Sequence, residues 1–266
     1  MQSVRKVNFA LVLSLFLSFW MSSSYAQEQR ASWSAIEKNY QRAGGDLKAL
    51  SHVKCFLSQY SNQILNFKSP SANMYDERCY NIPSGLYEQP RYFTVIDYIK
   101  PGYKRRLFLV DTLTAKVKAM GVAHGRYQSG YMRLRLRKNK NSLKWARYFS
   151  NTPGSNAPSS GFYFAGQEYE GKFGRSLVLH GLEEGINDNA CERAVVIHKH
   201  AMVSKRRAYV MSSGCPMVSW SNIDPLIDAL KGDQEGLRLT KPGGLVFIYG
   251  PREREWGTNQ CPLSKI

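Results

Sequence analysis

Ala194-Val-Val-Ile-His198-Lys199-His200-Ala-Met-Val-Ser204 is followed, after six residues, by Met211-Ser212-Ser213-Gly214-Cys215-Pro216. The first stretch reads as a β-strand ending in histidine, the second as a cysteine behind a glycine turn. Residues two apart in a strand share a face, so His198 and His200 are expected to point the same way. Cys215 follows His198 by 17 residues, room for the strand to end and the chain to return beside it. Cysteine nucleophilic catalysis uses a thiol and an imidazole, because the thiolate reacts and a nearby base supplies it. Gly214 allows close backbone approach, and the amides around Cys215 are suited to an oxyanion.

The surrounding chain is strand-rich. Apolar or alternating runs rich in Val, Ile, Phe and Tyr predict strands over 92–98, 106–111, 116–124, 161–167, 176–182, 193–200 and 245–249. Turn signals such as Lys100-Pro101-Gly102 and Thr152-Pro153-Gly154-Ser155 separate them. Many short strands with polar turns predict a mainly β domain with some α, a β-sandwich or barrel, rather than a wound α/β sheet. Asp224-Pro225 with Gly232 marks one helix inside it, capped at Asp224. Before the strands, Ser34-Ala-Ile-Glu37 is a capping-box pattern opening a short helix. Asp46 caps a longer one, with Leu47, Leu50, Val53, Leu57, Tyr60 and Ile64 on one stripe. Residues 68–90, rich in Ser, Pro, Asn and Gly, read as a connector. The expected organisation is a signal peptide over 1–26, a helical region and connector over 27–87, and a catalytic domain over 88–262.

The compartment is read from the first residues. Arg5 and Lys6 precede an apolar run from Phe9 to Trp20, and Ser24-Tyr25-Ala26 offers the small residues of a signal-peptidase cut. The run is short for a membrane span of about 20 residues, so the chain is expected to be secreted or periplasmic, with no transmembrane segment after cleavage. The net charge is +17 for the whole chain and falls by two with that segment. A charge of this size favours anionic partners. Outside the cell these are anionic cell-wall polymers, lipopolysaccharide or anionic lipid, not nucleic acid. Arg133, Arg135, Arg137 and Lys138 place several cations on one strand face, which also suits a solvated edge strand. Of the five cysteines, Cys55, Cys79, Cys191, Cys215 and Cys261, one must stay unpaired if the others form disulfides. Cys215, in its Gly-Cys-Pro turn near a histidine, is the expected free thiol. The expected pairs are Cys55 with Cys79 and Cys191 with Cys261.

Six segments in order also resemble one known family. They are Val122-Ala-His-Gly125, Phe149-Ser-Asn-Thr-Pro-Gly-Ser155, Ser160-Gly-Phe-Tyr163, Leu179-His-Gly-Leu-Glu183 with Gly185-Ile-Asn-Asp-Asn-Ala190, Arg193-Ala-Val-Val-Ile-His198, and Ser212-Ser-Gly-Cys-Pro216. Between about Glu88 and Gly250 the chain resembles the L,D-transpeptidase catalytic domains (YkuD-like), in the murein L,D-transpeptidase-like branch with a Ser-x-Gly-Cys-Pro motif. The resemblance implies Cys215 as nucleophile and His198 as base, with the Lys199 carbonyl steadying the imidazole and the amides of Ser213 and Gly214 at the oxyanion. It also implies attack on the bond before the terminal D-alanine of a peptidoglycan tetrapeptide stem, a thioester, and a 3→3 cross-link. Hydrolysis of that thioester would make the chain an L,D-carboxypeptidase instead. The chain departs from the family's common pattern at Lys199, where glycine is usual, at Ser213, where a second histidine is usual, and at Pro216-Met217, where an arginine is usual.

His200, Ser212 and His180 are candidate substrate contacts, although a structural role is the commoner fate of such histidines. His198, His200 and Cys215 make an incomplete tetrahedral set, so neither metal nor other cofactor is expected. Asn187-Asp188-Asn189 reads as a self-bonded turn. A basic wall-binding protein without catalysis remains a competing reading. A papain-like amidase is disfavoured because it places cysteine before histidine, and a sortase because its Thr-x-Thr-Cys and following arginine are missing.

Overall fold

Ser32 opens the first helix, α1 (Trp33–Arg42), by accepting the Ala35 amide on its hydroxyl. The cap therefore lies two residues before the expected Ser34. Asp46 opens α2 (Leu47–Tyr60) as the pattern predicts, taking the Lys48 amide. The computed structural model describes residues 29–65, 77–79, 84–129 and 138–263. The expected signal segment, most of the connector and the arginines at 133–137 lie outside the described residues. Leu50, Val53 and Leu57 of the predicted stripe are buried, joined by Ala49 and Phe56. Leu47, at the first position of α2, is 40% exposed, and Ile64 is 72% exposed because the helix has ended before it and that residue is already in a strand.

Two strands, β1 (Gln63–Leu65) and β2 (Gly85–Tyr87), form a small ribbon. The chain continues through β3 (Tyr92–Asp97), β4 (Leu107–Asp111) and β5 (Val117–Met120), then a ribbon of β6 (Gln128–Ser129) with β7 (Lys138–Asn139). Next come β8 (Gly161–Gly171), β9 (Gly174–Gly181), β10 (Val196–Lys199), β11 (Met217–Val218) and the helix α3 (Trp220–Leu230). A ribbon of β12 (Asp233–Glu235) with β13 (Arg238–Lys241), the strand β14 (Leu245–Tyr249) and a short α4 (Pro251–Arg254) complete the order. Each strand predicted from alternation is present.

Eight strands share one sheet in the order β11-β10-β9-β8-β14-β3-β4-β5. The pairs β14–β3 and β10–β11 are parallel and the others antiparallel. Past the end of β5, Ala123 bridges to Met217 of β11, so the two ends of the sheet meet in a nearly closed barrel. The fold is thus mostly β with few helices, as expected.

The sheet is covered on both faces, which is why β14 and the first four residues of β4 are apolar and both strands are buried at every residue. Phe93, Val95, Phe108, Phe162, Phe164 and Phe247 pack with Tyr40, Leu50, Val53 and Phe56 of the N-terminal helices in one core. Ile96, Leu107, Leu179, Ile197 and Val246 face the other way and pack on Ile223, Leu226 and Leu230 of α3. α3 starts at Ser219, one turn before the expected Asp224, so Pro225 falls inside it. The helix tolerates this because Ser221, whose carbonyl loses its partner at Pro225, is exposed to water.

The disulfides are Cys55–Cys261 and Cys79–Cys191, not the expected Cys55–Cys79 and Cys191–Cys261. Closeness along the chain misled here. α2 carries Cys55 to the C-terminal tail, while the 77–79 turn lies against β8, where Gln167 Nε2 donates to Arg78 O at 2.8 Å. Cys215 is free, as cysteine parity predicts. The two cross-links close loops of 206 and 112 residues, and such long loops are worth about 4–5 kcal/mol each in the chain-entropy account. In a Cys215→Ala background, which prevents thiol exchange, reduction is expected to lower the urea unfolding midpoint sharply. An unchanged midpoint would show that the helices and sheet cohere without the links.

Candidate active site

β10 and β11 run parallel, with His198 opposite Met217 and the His198 amide donating to Pro216 O at 3.3 Å. Cys215 therefore lies just before the ladder begins, against Val196, which is two residues before His198 and on the same strand face. The half-buried Cys215 packs near Val196 and Val178. Sequence and topology together thus bring thiol and imidazole onto adjacent strand ends.

His198 is buried, and its Nδ1 lies 3.0 Å from the Lys199 carbonyl oxygen. A carbonyl only accepts, so Nδ1 carries the proton and Nε2 keeps its lone pair. The ring is fixed on one face by Phe173, stacked at 4.3 Å and 17°. Phe173 comes from the turn between β8 and β9 and had no expected role. Burial pulls the imidazole below its usual value of 6.5. The Lys199 carbonyl works against this, and the charges of His200 and Lys172 add to it. The charges acting on the ring are thus those of His200 and Lys172, while Lys199 Nζ lies over the Trp220 ring at 4.7 Å.

The thiol donates to Ala194 O at 3.4 Å. Burial raises it above its usual 9.0, while the Val196 amide, the Arg193 guanidinium and the Cys215 amide favour the thiolate. Both shifts favour a thiol beside a neutral imidazole. Ala194 itself holds φ +52, a conformation a residue with a Cβ adopts at a cost. Arg193 binds the 150–159 loop beside this turn. Its Nη1 donates to Ser150 O and Ser159 Oγ at 2.8 and 2.5 Å, and its Nη2 to Ala157 O at 2.6 Å.

The turn before the cysteine is held from the other side. Ser212 N donates to His124 O and Arg126 N to Ser212 O, at 2.8 and 3.0 Å. Gly214 has φ +124, where only glycine rests without strain. Its amide donates to Ser212 Oγ at 3.1 Å, so this expected oxyanion donor is occupied at rest. Ser213 is exposed, and its amide has no hydrogen-bond partner among the described residues.

The remaining candidates are placed elsewhere. His200 Nδ1 accepts the Met202 amide at 3.1 Å, closing the turn after β10. His180 is 2% exposed within the sheet, its Nε2 3.3 Å from Gln167 Oε1, and burial lowers it to about 4. It is a core residue and not a substrate contact. Asn187 is buried and supports the sheet, donating to the carbonyls of Ser160 and Phe162. His124 was not singled out by sequence. Arg106 Nη2 donates to its Nδ1 at 2.6 Å, and its Nε2 then donates to Ser142 O at 2.9 Å.

Residues 65–235 match the L,D-transpeptidase catalytic domain family (YkuD_2), and the chain belongs to that family. Solved structures to which it is similar include an L,D-transpeptidase from Mycobacterium smegmatis, at 9% identity and TM-score 0.35, covering 64% of each chain. Another is an L,D-transpeptidase from Mycobacterium tuberculosis H37Rv, at 8% identity and TM-score 0.34, covering 64% of this chain and 63% of that one. The helical cell shape determining protein Pgp2 from Campylobacter jejuni is similar at 10% identity and TM-score 0.35, covering 76% and 55%. The chain thus spans less than two thirds of each of these proteins. No curated protein matches it.

Proposed function

We propose that this chain is an exported L,D-transpeptidase of peptidoglycan, with Cys215 as nucleophile and His198 as base. The observation that carries the reading is the His198 ring held by the Lys199 carbonyl, leaving Nε2 free on the strand beside the one free cysteine. His198 Nε2 takes the Cys215 proton, and the thiolate attacks the carbonyl between the L-centre of the stem's diamino acid and the terminal D-alanine. The Ser213 amide faces the oxyanion, joined by the Gly214 amide once the Ser212 hydroxyl turns away. His198 then protonates the departing D-alanine amine, leaving a thioester on Cys215. The side-chain amine of a second stem attacks the thioester and loses a proton to His198. An amide forms, the C–S bond breaks, and the thiol is regenerated. The signal-like start of the sequence and the two disulfides suit an oxidising compartment outside the cytoplasm.

Incubation with defined disaccharide-tetrapeptides followed by mass spectrometry tests this. Dimers lacking one D-alanine are expected. Shortened monomers alone would make the chain an L,D-carboxypeptidase, and unchanged substrate would overturn the enzymatic reading.

The pH profile follows from the site's charges. His198 must be neutral to act as base, and its lowered pKa keeps it neutral into mild acid. The acid limb of kcat/KM is therefore expected to fall below pH 6.5, with activity retained above it. A midpoint above pH 7 would contradict the buried, Lys172-facing imidazole.

A further inference from the structure

The segment that supports the Gly214 turn continues into a block with a different surface. Asn141 Nδ2 donates to Gly125 O and Tyr148 O, both at 2.9 Å, and Lys140 N donates to Tyr127 O at 2.8 Å. These bonds join residues 125–127 and 140–148. Lys140 Nζ lies over two rings of this block, Tyr127 at 4.8 Å and Tyr148 at 5.8 Å, and the rings meet edge to face at 6.3 Å. Tyr127 holds φ +43 and donates its amide to Asn156 O at 3.0 Å. A bulky side chain in that region is an outlier that the surroundings must enforce.

The block extends to a third ring. Gly102 N donates to Lys144 O at 2.8 Å, which sets Tyr103 beside it with the Lys104 and Lys144 ammonium groups at 5.9 and 5.8 Å from its centroid. Tyr103 and Tyr148 are 48% and 49% exposed. No carboxylate residue occurs in the sequence from Thr112 to Gln167, the stretch that holds Lys140 and Lys144. Gly125 is packed on Gly214 and lies only two residues, at most about 7 Å of chain, from Tyr127. The backbone at the Tyr127 end of the strip therefore lies close to the turn that carries Cys215.

We infer that this strip, Tyr127–Lys140–Tyr148 continuing to Lys144–Tyr103–Lys104, docks the glycan strand of peptidoglycan next to the stem being processed. The inference rests on the peptidoglycan reading above and adds where the polymer lies. A tyrosine offers an apolar body with a polar tip, which suits a sugar ring with one C–H face and a hydroxyl rim. The rings also hold the ammonium groups in place, where they meet the carboxylates that hang from the strand. A phosphate polymer would need only the cations. Interleaving each cation with a ring fits a polymer in which sugar faces and carboxylates alternate.

The test uses the full chain with Cys215→Ala, so that binding is read without turnover, and soluble glycan strands carrying intact tetrapeptides. In this background Tyr103→Ala with Tyr148→Ala, and separately Lys140→Ala with Lys144→Ala, are each expected to weaken strand binding roughly tenfold, as loss of aromatic or charged anchors does. Only the lysine pair should flatten the salt dependence. With Cys215 restored, both variants should turn over a single disaccharide-tetrapeptide within about twofold of the parent, because so short a ligand engages the cysteine without the strip. Unchanged strand affinity in either variant overturns the proposal, as does an equal loss with the single disaccharide. Polyphosphate bound by the parent as tightly as the strands also overturns it. Failure of the transpeptidase reading is seen separately, as a parent enzyme that leaves the disaccharide-tetrapeptide unchanged.

Discussion

Cys215→Ala is expected to abolish product formation from disaccharide-tetrapeptides, with a fall of about 10⁴-fold or more of the kind seen when a covalent nucleophile is removed. The fold should survive. Cys215 is half-buried and outside both disulfides, and the ladder bonds of its turn belong to backbone atoms of Pro216 and Met217. A matched thermal midpoint with no thioester adduct in intact-protein mass spectrometry is the expected pair of results. Residual turnover within tenfold of the parent would remove Cys215 from the chemistry. His198→Gln provides the comparison, since it keeps a side chain of similar reach but loses the titrating nitrogen.

Gly125→Ala carries the second large effect, although residue 125 touches no reacting atom in the proposed chemistry. A Cβ there would stand 2.6 Å from Asn156 O and 2.8 Å from both Gly214 Cα and Pro158 N. All three are backbone atoms, so no side chain can rotate aside. The turn bearing Cys215 must shift, and a displacement near 1 Å at a reacting group costs about 100-fold in rate. Overpacking of this kind also costs about 1–3 kcal/mol of stability. The check is kcat with disaccharide-tetrapeptide alongside the thermal midpoint. A kcat within threefold of the parent would mean that the two glycines do not set the nucleophile's position.

Much of this was legible in the sequence because it is local. Apolar runs rich in β-branched and aromatic residues over 92–98 and 245–249 specify strands whichever partners they find, and Ser212-Ser-Gly-Cys-Pro216 carries its turn chemistry within five residues. What could not be read depends on contacts between distant segments. The Cys79–Cys191 pair joins segments brought together by β8 and β9, so proximity in the chain was a poor guide to it. Phe173 reaches His198 only because the β8–β9 hairpin carries it there. His200 shares strand parity with His198, but β10 ends at Lys199 and the ring caps a turn. The start of α3 was misplaced because Asp224-Pro225 is a good helix opening in isolation, whereas the chain had already entered the helix at Trp220. Lys199 departs from the family's common glycine at no cost to the contact observed, since the His198 ring meets its carbonyl and not its side chain.

The barrel's ends are joined by isolated bridges, Ala123 with Met217 and Gly125 with Ser212, instead of a continuous ladder. Residues 213–216 hang between those two bridges, so the turn that bears the proposed nucleophile is also the clasp of the barrel. Closing the barrel and aiming the sulfur are one mechanical act. A substitution that loosens the clasp from a distance will register in an assay as a catalytic defect, even when it meets no part of the substrate.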